Sequence, residues 1–302
     1  MPQPGNDLTS TISVLAADHG LELDESSIEV NEMGLDFRVA IVRTVHGERW
    51  VLRIPRRRDV MERAEVEGRL LRMVEPHLSA AVPEWRIHTP ELIAYPILPG
   101  APGLELNDQG EPEWHVDVST SSFAVSLGDL LAQLHAVDID AAGATGIEVR
   151  SPSEVRDSWR ADIETVAANF EVADHLRTRW NAWLHDDSCW PEFSVLTHGE
   201  IYPGHTLVED NAITAVLDWT TASVSDPAKD FMFHQATASA DAFNLTVQRY
   251  VERGGRVWPR LADHCAEMFS ASPVNYGIYA LTTGETEHRE AAAAQLSPSA
   301  RA

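Results

Sequence analysis

Hydrophobic and polar positions alternate in three runs near the N-terminus: SIEVNE, FRVAIVRTV and RWVLRIP. Their β-branched content and period of two predict strands, and the turn-forming stretches MGLD and HGE between them predict a small antiparallel sheet. A short helix is expected before them over residues 11–20, with Thr9 or Ser10 as its cap. The period then lengthens. RRDVMERAEVEGRLLRMVEPHL sets Val66, Leu70, Leu71 and Val74 on one helical stripe, and Pro76 marks its end. WRIHTP and ELIAYPILPG read as two further strands, broken by Pro96 and Pro99.

From Gly100 to Ser122, Gly, Pro, Asp and Glu predict an exposed loop. Beyond it the pattern is mostly helical. SLGDLLAQLHAV carries Leu127, Leu130, Leu131 and Leu134 on one face, and further helices are expected over 153–186, 234–254 and 258–283. The strand-like pieces SVLTHG, TLVED and ITAVLDW interrupt them, the tail from Ser297 is expected to be disordered, and no internal repeat is present. The class is α+β with two lobes: a small β-rich N-terminal lobe over 1–98 and a larger, mostly helical one over 99–296. The connecting segment falls near 93–98, and a cleft between lobes is where a ligand would bind.

Composition narrows the function. The chain has 302 residues, is 44% apolar and lacks an uninterrupted apolar run of membrane-spanning length. Its first residues, MPQPGNDLTS, lack the basic and apolar regions of a secretory signal, and Cys189 and Cys265 form neither a disulfide framework nor a metal knuckle. A cytoplasmic protein with reduced thiols is expected. The formal charge is -24, from 23 Lys+Arg against 47 Asp+Glu, which excludes a nucleic-acid surface and suits a cationic ligand. One basic cluster, Arg53, Arg56, Arg57 and Arg58, stands against this background and can face an anion.

The stretch HGEIYPGHTLVEDNAITAVLDWTTASVSDPAKDF, residues 198–231, carries the candidate chemistry. TLVED and ITAVLDW form a hairpin around Glu209–Asn211, with His198 to Tyr202 as the loop leading in. Glu200, His205 and Asp218 then share one rim. Carboxylates and an imidazole converging there can hold Mg²⁺ and orient a hydroxyl, the two tasks of a phosphoryl-transfer site.

The motif is specific. His198-Gly199-Glu200 leads to His205, Leu217-Asp218-Trp219 follows about a dozen residues on, and Asp226-Pro227-Ala228-Lys229-Asp230 comes next. This resembles the aminoglycoside phosphotransferase-like kinases, and more closely the macrolide 2'-phosphotransferases, which carry His where the aminoglycoside enzymes carry Asn. GLDFRV, WVLRIPRR, AVPEWRI, ELIAYP, LHAV, CWPEFSV and GGRVWPRLADH extend the resemblance over nearly the whole chain. It implies a protein kinase-like fold, Asp218 as principal Mg²⁺ ligand, His205 as a second metal or phosphate contact, and His198, Asp226 and Asp230 as bracing residues. Glu200 stands where the family usually has the Asp that orients the acceptor hydroxyl. Its side chain is longer by one bond of about 1.5 Å, and Glu is as able a proton acceptor as Asp.

In the N-terminal lobe, Arg53 stands where kinases hold a Lys, with Glu67 as its expected partner; Glu65 is the competitor, but Glu67 fits the E-x-x-L-L phase. Gly34 would let the backbone close over a phosphate. By resemblance, backbone groups of Ala94, Tyr95, Pro96 and Ile97 would read the purine edge of the donor, typically GTP, with ATP possible. The implied acceptor is the 2'-hydroxyl of a macrolide amino sugar. Tyr202, Phe231, Met232, Phe269, Tyr276 and Tyr279 are candidate walls for its apolar ring. The implied activity confers macrolide resistance, and a monomer is expected. Two alternatives stay open: a kinase for an aminoglycoside or other hydroxylated acceptor, and a catalytically silent nucleotide- or drug-binding module, motivated by Glu200 and Arg53.

Overall fold

A computed structural model describes residues 4–32, 36–107 and 109–297. Helix α1 (Pro4–Asp18) precedes strands β1 (Glu29–Asn31), β2 (Phe37–Arg43) and β3 (Arg49–Pro55). The helix starts earlier than its expected cap, so Thr9 and Ser10 lie inside it. Helix α2 (Val60–Val74) follows, continued by a short 3-10 turn through Pro76, and then β4 (Ile87–His88) and β5 (Ile93–Pro96). The strands form one antiparallel sheet in the order β1-β2-β3-β5-β4.

Strand alternation divides the sheet residues between two faces. Ala40, Val42, Leu52 and Ala94 pack with Ile12 and Ala16 of α1. Phe37, Val39, Val51, Ile93 and Tyr95 turn the other way, toward Val60 and Ala64 of α2. The expected connector is thus largely strand: Trp50, Val51, Leu52 and Arg53 pair with Pro96, Tyr95, Ala94 and Ile93.

The loop expected after Gly100 contains three short strands, β6 (Ala101–Pro102), β7 (Leu104–Leu106) and β8 (Pro112–Trp114), the last two forming a hairpin. Helices α3 (Ser121–His135), α4 (Ile139–Ala144), α5 (Pro152–Asn169) and α6 (Asp174–His185) come next. The helical span expected over 153–186 is interrupted at 170–173, where Phe170 takes an extended conformation and Ala173 leaves the helical one. Strand β9 (Val195–Thr197), the hairpin β10 (Thr206–Glu209) and β11 (Ala212–Val216), and β12 (Ser223–Ser225) follow. β10 also pairs with β6, and β12 with β9. Asp210 and Asn211, at φ 52° and 58°, make the hairpin turn, a conformation Asp and Asn tolerate better than most residues.

Helices α7 (Ala228–Thr237), α8 (Ala240–Glu252), α9 (Leu261–Ser270), α10 (Ser272–Thr283) and α11 (Thr286–Leu296) complete the chain. Each of the two long helices expected here is in fact a pair, and α11 was not foreseen. The core of this region joins Leu127, Leu131 and Leu134 of α3 to Trp180, Trp183, Phe231 and Cys265. Among the described residues, no helix is long and apolar enough to cross a membrane.

Candidate active site

The loop after β9 is fixed by its own backbone. Gly199 sits at φ 91°, and a Cβ there would stand 2.7 Å from the carbonyl oxygen of Thr221, so the position takes glycine. The His198 and Gly199 amides donate to the two oxygens of Asp230 at 3.0 and 2.7 Å. Nε2 of His135 donates to the same carboxylate at 3.0 Å. Asp230 is fully buried and therefore serves as a three-way acceptor holding the loop.

His198 is also fully buried. Its Nδ1 accepts from the Glu200 amide at 3.3 Å, so Nε2 carries the proton given to the Leu217 carbonyl at 2.9 Å. Burial, partly opposed by Asp230, lowers its pKa and keeps the ring neutral. Asp226 braces α7 in the same manner: it accepts from the Ala228 amide at 2.8 Å and from Nε2 of His264 at 2.8 Å. Nδ1 of His264 in turn accepts from Trp183 at 3.0 Å, which fixes the tautomer.

These braces bring Glu200, His205 and Asp218 together. Nδ1 of His205 lies 3.1 Å from the Glu200 carbonyl and 3.9 Å from its carboxylate, and Nε2 lies 3.6 Å from Oδ2 of Asp218. Nδ1 donates to the Glu200 carbonyl, and Nε2 is the ring atom that faces Asp218. Asp218 itself is left-handed, at φ 56° and ψ 76°, the type of backbone outlier that clusters at functional sites. Its Oδ1 accepts from the amide and hydroxyl of Thr220, and Oδ2 is directed to His205.

The two carboxyls differ electrostatically. Burial raises the pKa of Glu200; His205 opposes this and Asp218 adds to it. Burial also pushes Asp218 upward, but the Thr220 hydroxyl, His205 and Arg53 outweigh it and hold that carboxyl below its usual range. Desolvation and neighbouring charge thus separate two acids on one rim.

A cleft of about 900 Å³ runs from this rim beneath the N-terminal sheet. Val39, Ile41 and Val51 line one wall, Leu207 and Leu217 another, and Tyr95, Ile97 and Leu98 its connector end. Arg53 lines it beside His205 and Asp218. The Arg53 guanidinium meets Glu67, not the exposed Glu65, at 2.9 Å, and lies over the Phe37 ring at 4.3 Å. Burial works against its charge, but Glu67 more than offsets this and raises its pKa. Glu67 feels the converse, with burial pushing it up and Arg53 pulling it down.

Several expected residues lie elsewhere. Ala94 does not face the cleft: it is fully buried toward α1, and its carbonyl accepts from the Arg86 amide. The Ile97 amide is likewise engaged, by the Arg49 carbonyl, although Ile97 lines the cleft. Phe231, 1% exposed, packs in the core against His135, Phe243 and Tyr250, and Met232 is also buried. Tyr276 and Tyr279 stack on each other and meet His288 of α11 edge to face, and neither lines the cleft. Gly34 falls outside the described residues. Tyr202 stands against His205, and its ring continues to Phe233 at 5.4 Å and from there to the exposed Phe269 at 5.9 Å. Phe233 was missed: it lies two residues beyond Phe231, on the other side of the same helix.

The description "Phosphotransferase enzyme family" applies to a family model matching residues 27–264. The chain belongs to this family. The phosphotransferase is similar to the crystal structure of macrolide 2'-phosphotransferase MphH from Brachybacterium faecium, with 62% identity and a TM-score of 0.94 over 97% of this chain and 99% of that one. It is also similar to a macrolide 2'-phosphotransferase type I, at 41% identity and a TM-score of 0.89, covering 95% and 96% of the two chains. The uncharacterized protein YcbJ of Bacillus subtilis (strain 168) is 41% identical to the phosphotransferase over 286 residues, 93% of each chain. Its α+β architecture is that of the kinase-like phosphotransferases.

Proposed function

We propose that this phosphotransferase moves the γ-phosphoryl group of a nucleoside triphosphate, GTP in preference to ATP, to the 2'-hydroxyl of a macrolide amino sugar, and so confers macrolide resistance. The observation that carries the reading is the meeting of Glu200, His205 and Asp218 at the end of a cleft that also presents Arg53. The high identity to macrolide enzymes supports the choice of acceptor.

In this reading the lobes, 1–98 and 99–296, hold donor and acceptor respectively. The base lies between Val39, Ile41, Val51 and Leu207, with Tyr95 and Ile97 at its edge, and the phosphates extend to Arg53, which Glu67 holds in place. Arg53 offsets charge on the phosphoryl oxygens. Glu200 accepts the hydrogen bond of the attacking hydroxyl and takes its proton. His198, Asp226 and Asp230 keep the loop in register for that contact.

Among the described residues, no three His, Cys, Asp or Glu groups are placed to enclose a metal ion. That fits Mg²⁺, which takes one or two protein ligands and completes its octahedron with phosphates and water. Oδ2 of Asp218, with Nε2 of His205 as second contact, would hold the ion; when bound it supplies charge neutralisation at the phosphates. The acceptor's apolar ring lies along Tyr202, Phe233 and Phe269, and its cationic amino group is attracted by the net charge of -24.

Incubation with Mg²⁺ and either GTP or ATP, with erythromycin or kanamycin, and mass measurement of the drug tests the reading. A phosphate adduct of erythromycin, formed faster with GTP, is expected. An adduct of kanamycin alone, or binding of erythromycin with no adduct, overturns it.

A further inference from the structure

A second cavity, of about 570 Å³, lies between α2 and the segment after Asp218. It shares only Asp36, Phe37 and Thr220 with the interlobe cleft, and none of Glu200, Tyr202, His205 and Asp218 lines it. Val60, Ala64 and Leu70 give it one apolar side, and Ile147 and Ala222 face them.

The charges around it are unevenly satisfied. Asp36 accepts from Arg57 at 2.8 Å and from Arg63 at 3.0 Å. Glu67 is held by Arg53 at 2.9 Å, and Glu148 by Arg150 at 2.6 Å. Every carboxylate on the wall therefore has its arginine. Lys229, from the first turn of α7, lines the same cavity, and among the described residues its ammonium has no hydrogen bond and no ion pair within 4.0 Å. Lys229 is partly buried; burial lowers its pKa, Asp226, Asp230 and Glu148 oppose this from beyond ion-pair distance, and Arg150 adds to it. A cation without an ion pair, beside an apolar wall in a cavity of this size, is the composition of a small-molecule site.

We propose that this cavity is a second ligand site, distinct from the transfer site, for a small amphiphilic anion. Its carboxylate or phosphate head pairs with Lys229, and its apolar body lies on Val60, Ala64 and Leu70. An anion there supplies Lys229 with the direct ion pair that the walls do not, and the apolar surfaces favour a compact ring or short chain over a bare inorganic ion.

Benzoate and phenyl phosphate are the probes, titrated calorimetrically into the full chain without nucleotide or drug, so that failure of the phosphotransfer reading leaves the result intact. For a ligand of about nine non-hydrogen atoms, a Kd on the order of 1 mM is expected. The Lys229→Met variant keeps the side chain's length and removes its charge; it should bind at least roughly tenfold more weakly. A second measurement needs no variant: acetic anhydride labelling of the native protein, read by peptide mass, should show Lys229, the one lysine of the sequence, protected by saturating probe while a lysine-containing reference peptide added to the same mixture is labelled as before. Saturable binding of either probe with both effects supports the site, and whichever head binds tighter identifies its chemistry. No saturable binding of either probe, equal affinity in Lys229→Met, or undiminished labelling of Lys229 overturns it.

Discussion

Replacing Asp230 by Asn tests whether the loop at 198–200 is held in the way its hydrogen bonds indicate. The carboxylate is fully buried and accepts three N–H groups, from Gly199 at one oxygen and from His198 and His135 at the other. Asparagine supplies one acceptor and two donors. With its oxygen toward Gly199, the new NH₂ faces the His198 amide; a change of His135 tautomer lets that ring accept from the NH₂, but the His198 amide stays orphaned. With the oxygen turned the other way, the Gly199 amide is orphaned instead. At least one buried donor thus loses its acceptor, at about 1–3 kcal/mol. A cost near 2 kcal/mol lowers Tm by about 3 °C in a chain of 302 residues. Thermal unfolding followed by circular dichroism measures it, and hydrogen exchange at Gly199 should accelerate. A variant that melts within about 1 °C of the parent, with unchanged exchange, would refute the acceptor-only account of this site.

The remaining expectations concern charge. In the proposed reaction the ionised form of Glu200 works as base, and its pKa is raised, by burial first, so transfer should fade with acidification at a pH above the ordinary glutamate value of 4.5; Glu200→Ala should lose at least about a hundredfold in kcat, and a profile fading only below 4.5 would contradict the assignment. Arg53→Ala leaves the Glu67 carboxylate buried without its partner, at about 3–5 kcal/mol in chemical denaturation, whereas the double change Arg53→Met with Glu67→Leu should recover most of that loss. His234 is 4% exposed with its pKa lowered to about 4 by burial, so the native ring resists a proton that the unfolded chain accepts below 6.5. Its contribution, about 3 kcal/mol, is complete above pH 6.5 and disappears as pH falls from 6.5 toward 4; His234→Gln should flatten that part of the stability profile, and an unchanged slope would count against it.

Much of this was legible in the chain. The alternation in FRVAIVR and RWVLRIP survives as a sheet with each face packed by a different helix, and the Leu stripe of α3 is core. The elements that were missed carry weak local signals. β12 is three residues, two of them serines, and takes its order from pairing with β9. In α11 only Ala292 and Leu296 are buried, too few to mark a stripe. The break at 170–173 has no glycine or proline to announce it.

At the site, the errors were ones of face. Antiparallel register sets Val39 opposite Arg53 and Ile41 opposite Val51, so the hydrophobic residues of the cleft wall share the side of the sheet that carries the arginine. The same period of two sends Ala94 away from Tyr95 and into the packing under α1. Phe231 and Phe233 differ by two positions on a helix, about 200°, and only packing against His135 and Tyr250 decides which one is core. The left-handed backbone at Asp218 could not be anticipated, since it depends on how Leu217 is tied to His198 and His205.

The anchoring of α7 bears on how such a molecule can move. Through Asp226 and Asp230 the segment from 198 to 205 is tied to α3, α9 and the tryptophan cluster, while Arg53 sits on β3 of the sheet. A tilt of the sheet would therefore change the distance from Arg53 to Asp218 and leave the spacing of Glu200, His205 and Asp218 as it is. In the proposed reaction, breathing of the entrance would gate the nucleotide, while the corner formed by Glu200, His205 and Asp218 would keep its shape.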